Sequence, residues 1–265
     1  MPRGRRGTAK EAAVANKPSS IRLEVLGHRA TIIIDRPHRR NAIDAAAIDQ
    51  LHEALSACSD DPEIWVVVIR GSGGDFCSGQ DLQASGNGQH TFVEVFKLIE
   101  RLPKPVIAAV QGSALGAGAA LCLAADLRLF ARSAQIGWPE ARRGFAPAQN
   151  GLWLAASVPK NIAAELLFLG EPLASDRALE LNVANWVVED DHLEVFLDEL
   201  LGRLLSSSPL GVAGSKEAMN LASGVTSTEL VSEAARIVNR VAESEDAKEG
   251  ISAFLEHRAP VWKGR

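Results

Sequence analysis

Cysteine is scarce in this chain: 265 residues hold three, Cys58, Cys77 and Cys122. No two stand in a C-x-x-C pair, so neither a disulfide framework nor a thiolate zinc site is suggested, and a reducing compartment, the cytoplasm, fits best. Long apolar runs are missing too; none approaches the roughly 18 residues of a membrane helix. The Pro-, Arg- and Gly-rich opening lacks the apolar segment of a signal peptide, so residues 1–18 read as a flexible tail. There is no excess of positive charge. At a formal −5 the chain has no electrostatic footprint for nucleic acid, although Arg3, Arg5 and Arg6 are locally basic.

Several nucleotide and hydrolase signals are absent as well. Gly116-x-Gly118 begins like a dinucleotide fingerprint, but Leu121 stands where the third glycine is needed. No Gly-Lys-Ser/Thr follows either glycine cluster, which removes a P-loop, and no G-x-S-x-G nucleophile elbow occurs. Cys77-Ser78 has no histidine nearby in sequence to lower a thiol pKa, so Cys77 reads as a small turn residue and not a nucleophile.

What is present is a chain with 46% hydrophobic and 23% charged residues, enough to bury a sizeable core. "IRLEVLGHRATIIID" reads as two strands around Gly27-His28, followed by the turn "RPHRRN". Ile43, Ala47, Ile48, Leu51 and Leu55 then fall on one helical face. "IWVVVIR" (64–70), "PVIAAVQG" (105–112) and "DLRLFA" (126–131) read as buried strands, with a helix at "TFVEVFKLIERL" and a polar loop at 83–90. From Glu140 onward the pattern is mostly helical: 149–157, 160–169, 174–181, a short strand "NWVV", then 192–206, 210–222, 227–242 and 246–257. The reading is an α/β fold with a core over 19–200 and a helical region over 201–265.

Two glycine clusters interrupt this pattern, "DFCSGQDL" (75–82) and "GSALGAGAALCLAAD" (112–126). Glycine inside an element costs about 0.5–1 kcal/mol relative to alanine. Each cluster follows a buried strand and can aim peptide N–H groups into a cleft, with the dipole of a helix starting at Gly116 added. Two convergent N–H donors suit charge developing on a carbonyl oxygen. Tight turns under close packing would produce the same pattern.

The wording of "GSGGDFCSGQDL", "PVIAAVQGSALGAGAALCLAADLRL", "AQIGWPEARRGFAP" and the terminal "KEGISAFLEHRAPVWKG" closely resembles the enoyl-CoA hydratase/isomerase, or crotonase, family, in order over roughly residues 20 to 263. The resemblance implies a spiral of repeated strand-strand-helix (ββα) turns with a C-terminal helical region, assembled as a homotrimer or as a homohexamer, a dimer of trimers. It implies an acyl-CoA thioester substrate, no metal, and no cofactor beyond the coenzyme A carried by the substrate. The oxyanion donors would be the backbone N–H groups of Gln80 and Ala117, with Gly79, Gly116 and Gly118 admitting the thioester carbonyl.

The resemblance breaks at the acids. Hydratases of the family carry two glutamates; here the first position is Ala120, and Glu140 alone remains as acid/base. A third acid position used by some relatives is Ala148, which argues against dienoyl isomerisation and dehalogenation. Asp81 and Asp126 are expected to cap turns and helices. For coenzyme A, the resemblance implies the backbone from Ser78 through Gly79, Gln80 and Asp81 to Leu82 at the adenine. It places His38, Arg39 and Arg40 near the phosphates, with Phe254 and His257 approaching from the C-terminal helix. Trp138, Trp153 and the 83–90 loop are candidate linings of an acyl pocket.

A single glutamate can move a proton from one carbon to another on the same face, so double-bond isomerisation is expected slightly ahead of hydration or dehydration. A non-catalytic acyl-CoA-binding protein on the same fold is the alternative from another class.

Overall fold

The computed structural model describes residues 19–84, 88–223 and 228–261. The expected tail at 1–18 and part of the 83–90 loop lie outside the described residues.

The chain enters through a hairpin, β1 (Ile21–Leu26) and β2 (Arg29–Ile34), paired antiparallel from Ile21 opposite Ile34 to Leu26 opposite Arg29. α1 (Ala45–Asp60) begins where the Asp44 carboxylate accepts the Ala47 N–H at 2.9 Å. It buries Ala47, Ile48, Leu51, Leu55 and Cys58 at helical spacing. β3 (Val66–Gly71) follows, then α2 (Phe92–Arg101), which starts on a capping box of Thr91 and Glu94 and buries Val95, Phe96 and Ile99. β4 (Val106–Val110) leads through a turn at Gly112 into β5 (Ser113–Leu115). α3 (Ala117–Ala124) is buried on every side, which its alanine, glycine and leucine composition permits. β6 (Leu127–Ala131) and β7 (Gln135–Gly137) complete the part of the chain that frames the site.

Beyond it come α4 (Ala148–Ser157), α5 (Lys160–Leu169), β8 (Leu173–Ala174), α6 (Ser175–Glu180), β9 (Trp186–Val188) and α7 (Leu193–Leu205). The last helices are α8 (Pro209–Ser223), α9 (Thr228–Ala242) and α10 (Glu245–Leu255). The larger sheet has the order β1-β2-β3-β4-β6-β9, parallel from β2 onward, and its central strands are buried on both faces. A smaller sheet has the order β5-β7-β8.

That smaller sheet is absent from the sequence reading, which treats 112–116 as a turn. Its strands are two or three residues long, too short to show a period, and exist because β5 and β7 pair in parallel. The helical region is bound to the core by a buried cation. Lys216 of α8 donates from Nζ to the Ile99 and Lys104 carbonyls and pairs with Asp126 at 2.7 Å, while Asp126 also accepts the Val106 N–H. Burial pushes the Asp126 carboxyl up and the Lys216 ammonium down, and their mutual attraction opposes both. α9 packs on α4, and α10 packs on α9 and on the short turn at 141–143.

Candidate active site

The two glycine clusters meet. Cys77 donates its N–H to the Ser113 carbonyl and accepts from Leu115, so the first cluster joins β5 as a parallel bridge between Cys77 and Ala114. On its other side Gly79 accepts from Ile43 and Asp81 donates to Ile43. The packing leaves no room for side chains. A Cβ on Gly118 would stand 2.1 Å from the Cys77 carbonyl oxygen, and one on Gly79 (φ +102°) would stand 2.8 Å from that of Leu115 and 3.6 Å from the Ala117 nitrogen. These contacts set Gln80 and Ala117 side by side. Neither N–H donates to a backbone carbonyl among the described residues, and Ala117 is the first residue of α3, at the positive end of its dipole.

Glu140 comes to the same place from β7. Gly137, Trp138 and Pro139 carry the chain to Glu140, which opens the short turn Ala141–Arg143. Its carboxylate lies over Gly116: a Cβ there would be 3.1 Å from Oε1. Asn150 of α4 donates from Nδ2 to Oε1 at 3.0 Å, whereas Oε2 is buried without a hydrogen-bond partner among the described residues. Burial pushes the Glu140 carboxyl above the ordinary glutamate range; its own backbone N–H, the Asn150 bond and the charge of Arg143 hold it back in part. Gln80, Ala117, Glu140, Leu82, Phe92 and Phe145 share the wall of one cavity of about 190 Å³, with Gly116, Arg143 and Asn150. A buried carboxyl beside two open N–H donors can exchange a proton with a carbon next to a carbonyl while the donors stabilise the carbonyl oxygen.

Other expected residues fall outside the cavity. Arg40 pairs with Asp75 at 3.0 Å and donates to Ser113 Oγ at 2.7 Å, and Arg39 donates to Gln83 at 2.7 Å and stands 3.8 Å from Asp81. His38 and His257 are exposed, and Ser78 donates its N–H to the Arg40 carbonyl. Asp81 is buried against Arg36 at 3.2 Å and accepts the Gln83 N–H, a turn cap. Phe254 of α10 lies under Arg143. Ala120 is fully buried in α3 and does not line the cavity.

The tryptophan expectation is corrected. Trp138 is fully buried in the core and Trp153 donates to Glu100 at 2.7 Å; neither reaches the cavity, because β7 and α4 turn these rings into the packing. Cys77 is buried, and desolvation pushes its thiol up to about 12, as befits a structural residue. Sequence reasoning missed Asn150 and Arg143. Arg143 stood within the quoted "PEARRG", but Asn150 carried no signal, since only the fold of 144–150 brings it back to Glu140.

A family model described as enoyl-CoA hydratase/isomerase matches residues 28–265. The carnitinyl-CoA dehydratase of Proteus mirabilis (strain HI4320) is 37% identical over 260 residues, which cover 93% of this chain and 99% of that one. The carnitinyl-CoA dehydratase of Salmonella typhi is 38% identical over 264 residues, with the same coverage of 93% and 99%. Among solved structures, the carnitinyl-CoA hydratase from Mycobacterium avium matches with a TM-score of 0.86 at 35% identity, covering 94% of this chain and 100% of that one. A methylmalonyl CoA decarboxylase matches with a TM-score of 0.82 at 26% identity, covering 93% and 98%.

Proposed function

Because this chain belongs to the enoyl-CoA hydratase/isomerase family, with its crotonase-type α/β fold, we propose that it adds water reversibly to a 2-enoyl-CoA thioester with Glu140 as the acid/base. The observation that carries the reading is the buried Glu140 carboxylate over Gly116, one oxygen held by Asn150 and the other unpartnered among the described residues, beside the open N–H groups of Gln80 and Ala117.

In the hydration direction Oε2 takes a proton from a water molecule as the water oxygen bonds to C3. The double-bond electrons move onto the thioester oxygen, where the Gln80 and Ala117 N–H groups stabilise the enolate. Glu140 then returns the proton to C2. Dehydration runs these steps backwards. Removing one such oxyanion donor in other enzymes costs roughly 10²–10³ in rate. A carboxyl raised by burial is suited to hold the proton between the two steps.

At the nucleotide end, the reading assigns the backbone from Ser78 to Leu82, with His38, Arg39, Arg40 and His257, to coenzyme A; Phe254, expected there from the sequence, lies instead against Arg143 of the cavity wall. The Arg39 and Arg40 side chains are 43% and 58% exposed, so exchanging their carboxylate contacts for phosphates costs little.

The names of the relatives, dehydratase and hydratase, favour this reading over the isomerisation placed first from the sequence. Double-bond isomerisation is the second reading, supported by Ala120 at the position of the missing acid. Assays of purified protein on 2-enoyl- and 3-enoyl-CoA esters decide between them. The expected result is faster hydration of the former, lowered about 10²–10⁴-fold by Glu140→Gln with CoA-ester binding kept. Hydration undiminished in Glu140→Gln overturns the assignment of Glu140.

A further inference from the structure

We infer that the acyl group of the substrate carries a carboxylate, which pairs with the guanidinium of Arg143 inside the cavity. This rests on the acyl-CoA reading above and deepens it to a substrate class.

Glu140 and Arg143 stand at the two ends of one short turn, and both line the cavity. They are the charged members of its described wall; the remainder includes the amides of Gln80, Gln149 and Asn150 and the apolar Leu82 and Phe145. Arg143 is half-buried, yet its guanidinium makes no hydrogen bond or ion pair among the described residues. Elsewhere in the molecule Arg36, Arg40 and Arg258 are each matched to carboxylates; Arg128, also without an ion pair among the described residues, does not line this cavity. An unpaired guanidinium in the wall of a ligand cavity keeps its N–H donors open for an anionic group of the ligand.

The setting orients the group for that role. The Phe254 ring lies 4.8 Å from the guanidinium carbon, which fixes one face by a cation–π contact. That contact uses none of the guanidinium N–H donors, and their fork matches a carboxylate in two parallel hydrogen bonds. Glu140 does not serve as this partner: it makes no ion pair with Arg143 among the described residues, and its Oε1 is taken by Asn150. The phosphates of coenzyme A do not fit either. They are assigned above to His38, Arg39 and Arg40, outside the cavity, whereas Arg143 shares the cavity wall with Glu140. Burial weakens the guanidinium's hold on its proton and the Glu140 charge opposes this, so a cation remains to meet the substrate.

The test is calorimetric binding of two saturated CoA esters of equal chain length, one ending in a methyl group and one in a carboxylate. Saturated esters need no turnover. The wild type is expected to bind the carboxylated ester about 10- to 100-fold more tightly, the range of one charge-assisted hydrogen-bonded pair. Arg143→Leu should abolish that ratio, and Arg143→Lys should retain part of it. An ester ending in a quaternary ammonium group should bind more weakly than the methyl-ended one. Equal binding of the carboxylated and methyl-ended esters by the wild type overturns the inference alone, as does a preference that survives in Arg143→Leu. Binding of neither ester overturns the acyl-CoA reading and the inference with it. Should Arg143→Leu fail to fold, the wild-type ratio and Arg143→Lys still decide.

Discussion

Asn150 donates from Nδ2 to Oε1 of Glu140 at 3.0 Å, and the other carboxylate oxygen, Oε2, stays buried without a partner among the described residues. One hydrogen bond thus divides the carboxylate into an oxygen that is held and an oxygen free for proton transfer. It also favours the charged form, against the burial that disfavours it.

Asn150→Ala removes that bond and leaves burial less opposed, so the Glu140 pKa rises further. The low-pH limb of kcat/KM should move to higher pH, and kcat should fall about tenfold, the scale of one hydrogen bond. A pH–rate profile of the variant checks both. An unchanged limb would show that Asn150 does not act through the Glu140 proton.

Glu140→Gln should stabilise the fold at neutral and alkaline pH. The folded-state pKa of Glu140 is raised above its ordinary 4.5, so the native state binds the proton more tightly than the unfolded chain. The native state's advantage from this group is therefore full below about pH 4.5 and is lost as pH rises through the folded pKa. Glutamine has no charge to bury, and the Tm difference between variant and wild type should grow with pH across that window. Thermal melts from pH 4 to 9 measure it; a difference that shrinks with rising pH contradicts the burial of Glu140.

Gly118→Ala should damage stability and activity together. Its Cβ would stand 2.1 Å from the Cys77 carbonyl oxygen, so the two clusters must separate. Overpacking of this kind costs about 1–3 kcal/mol, or roughly 2–4 °C of Tm for each kcal/mol in a chain of this size class. Because the same contact aligns Gln80 with Ala117, kcat should drop as well. A variant with full activity would show that the N–H alignment does not depend on this contact.

The chain should assemble as trimers or hexamers. Helical spacing in the sequence sets Leu230, Val231, Ala234 and Ile237 toward one face of 227–242, and their side chains lie outside the described residues. On α10, however, Ile251, Phe254 and Leu255 are 39%, 43% and 53% exposed, an apolar surface of the kind that subunit contacts cover. Light scattering at micromolar concentration should give three or six times the 28.2 kDa of one chain. A monomer would refute the assembly.

The sequence by itself determined most elements and the family. α1 and α2 announce themselves by apolar spacing and caps, and β3 and β4 by continuous β-branched or apolar runs, because helix and strand periods are local properties of the chain. Glu140, Gln80 and Ala117 are candidates in the sequence because they sit in the motifs that carry the family resemblance. Tertiary structure alone decided that the two glycine clusters pair through Cys77 and Ala114, and that Arg39 and Arg40 turn to Gln83 and Asp75. It likewise set Trp138 in the core and brought Asn150 to Glu140, Arg143 onto Phe254 and Lys216 to Asp126. Each of these depends on contacts between segments whose separation no local period encodes. Their energies come from shared burial, which exists only once the sheets and helices have packed.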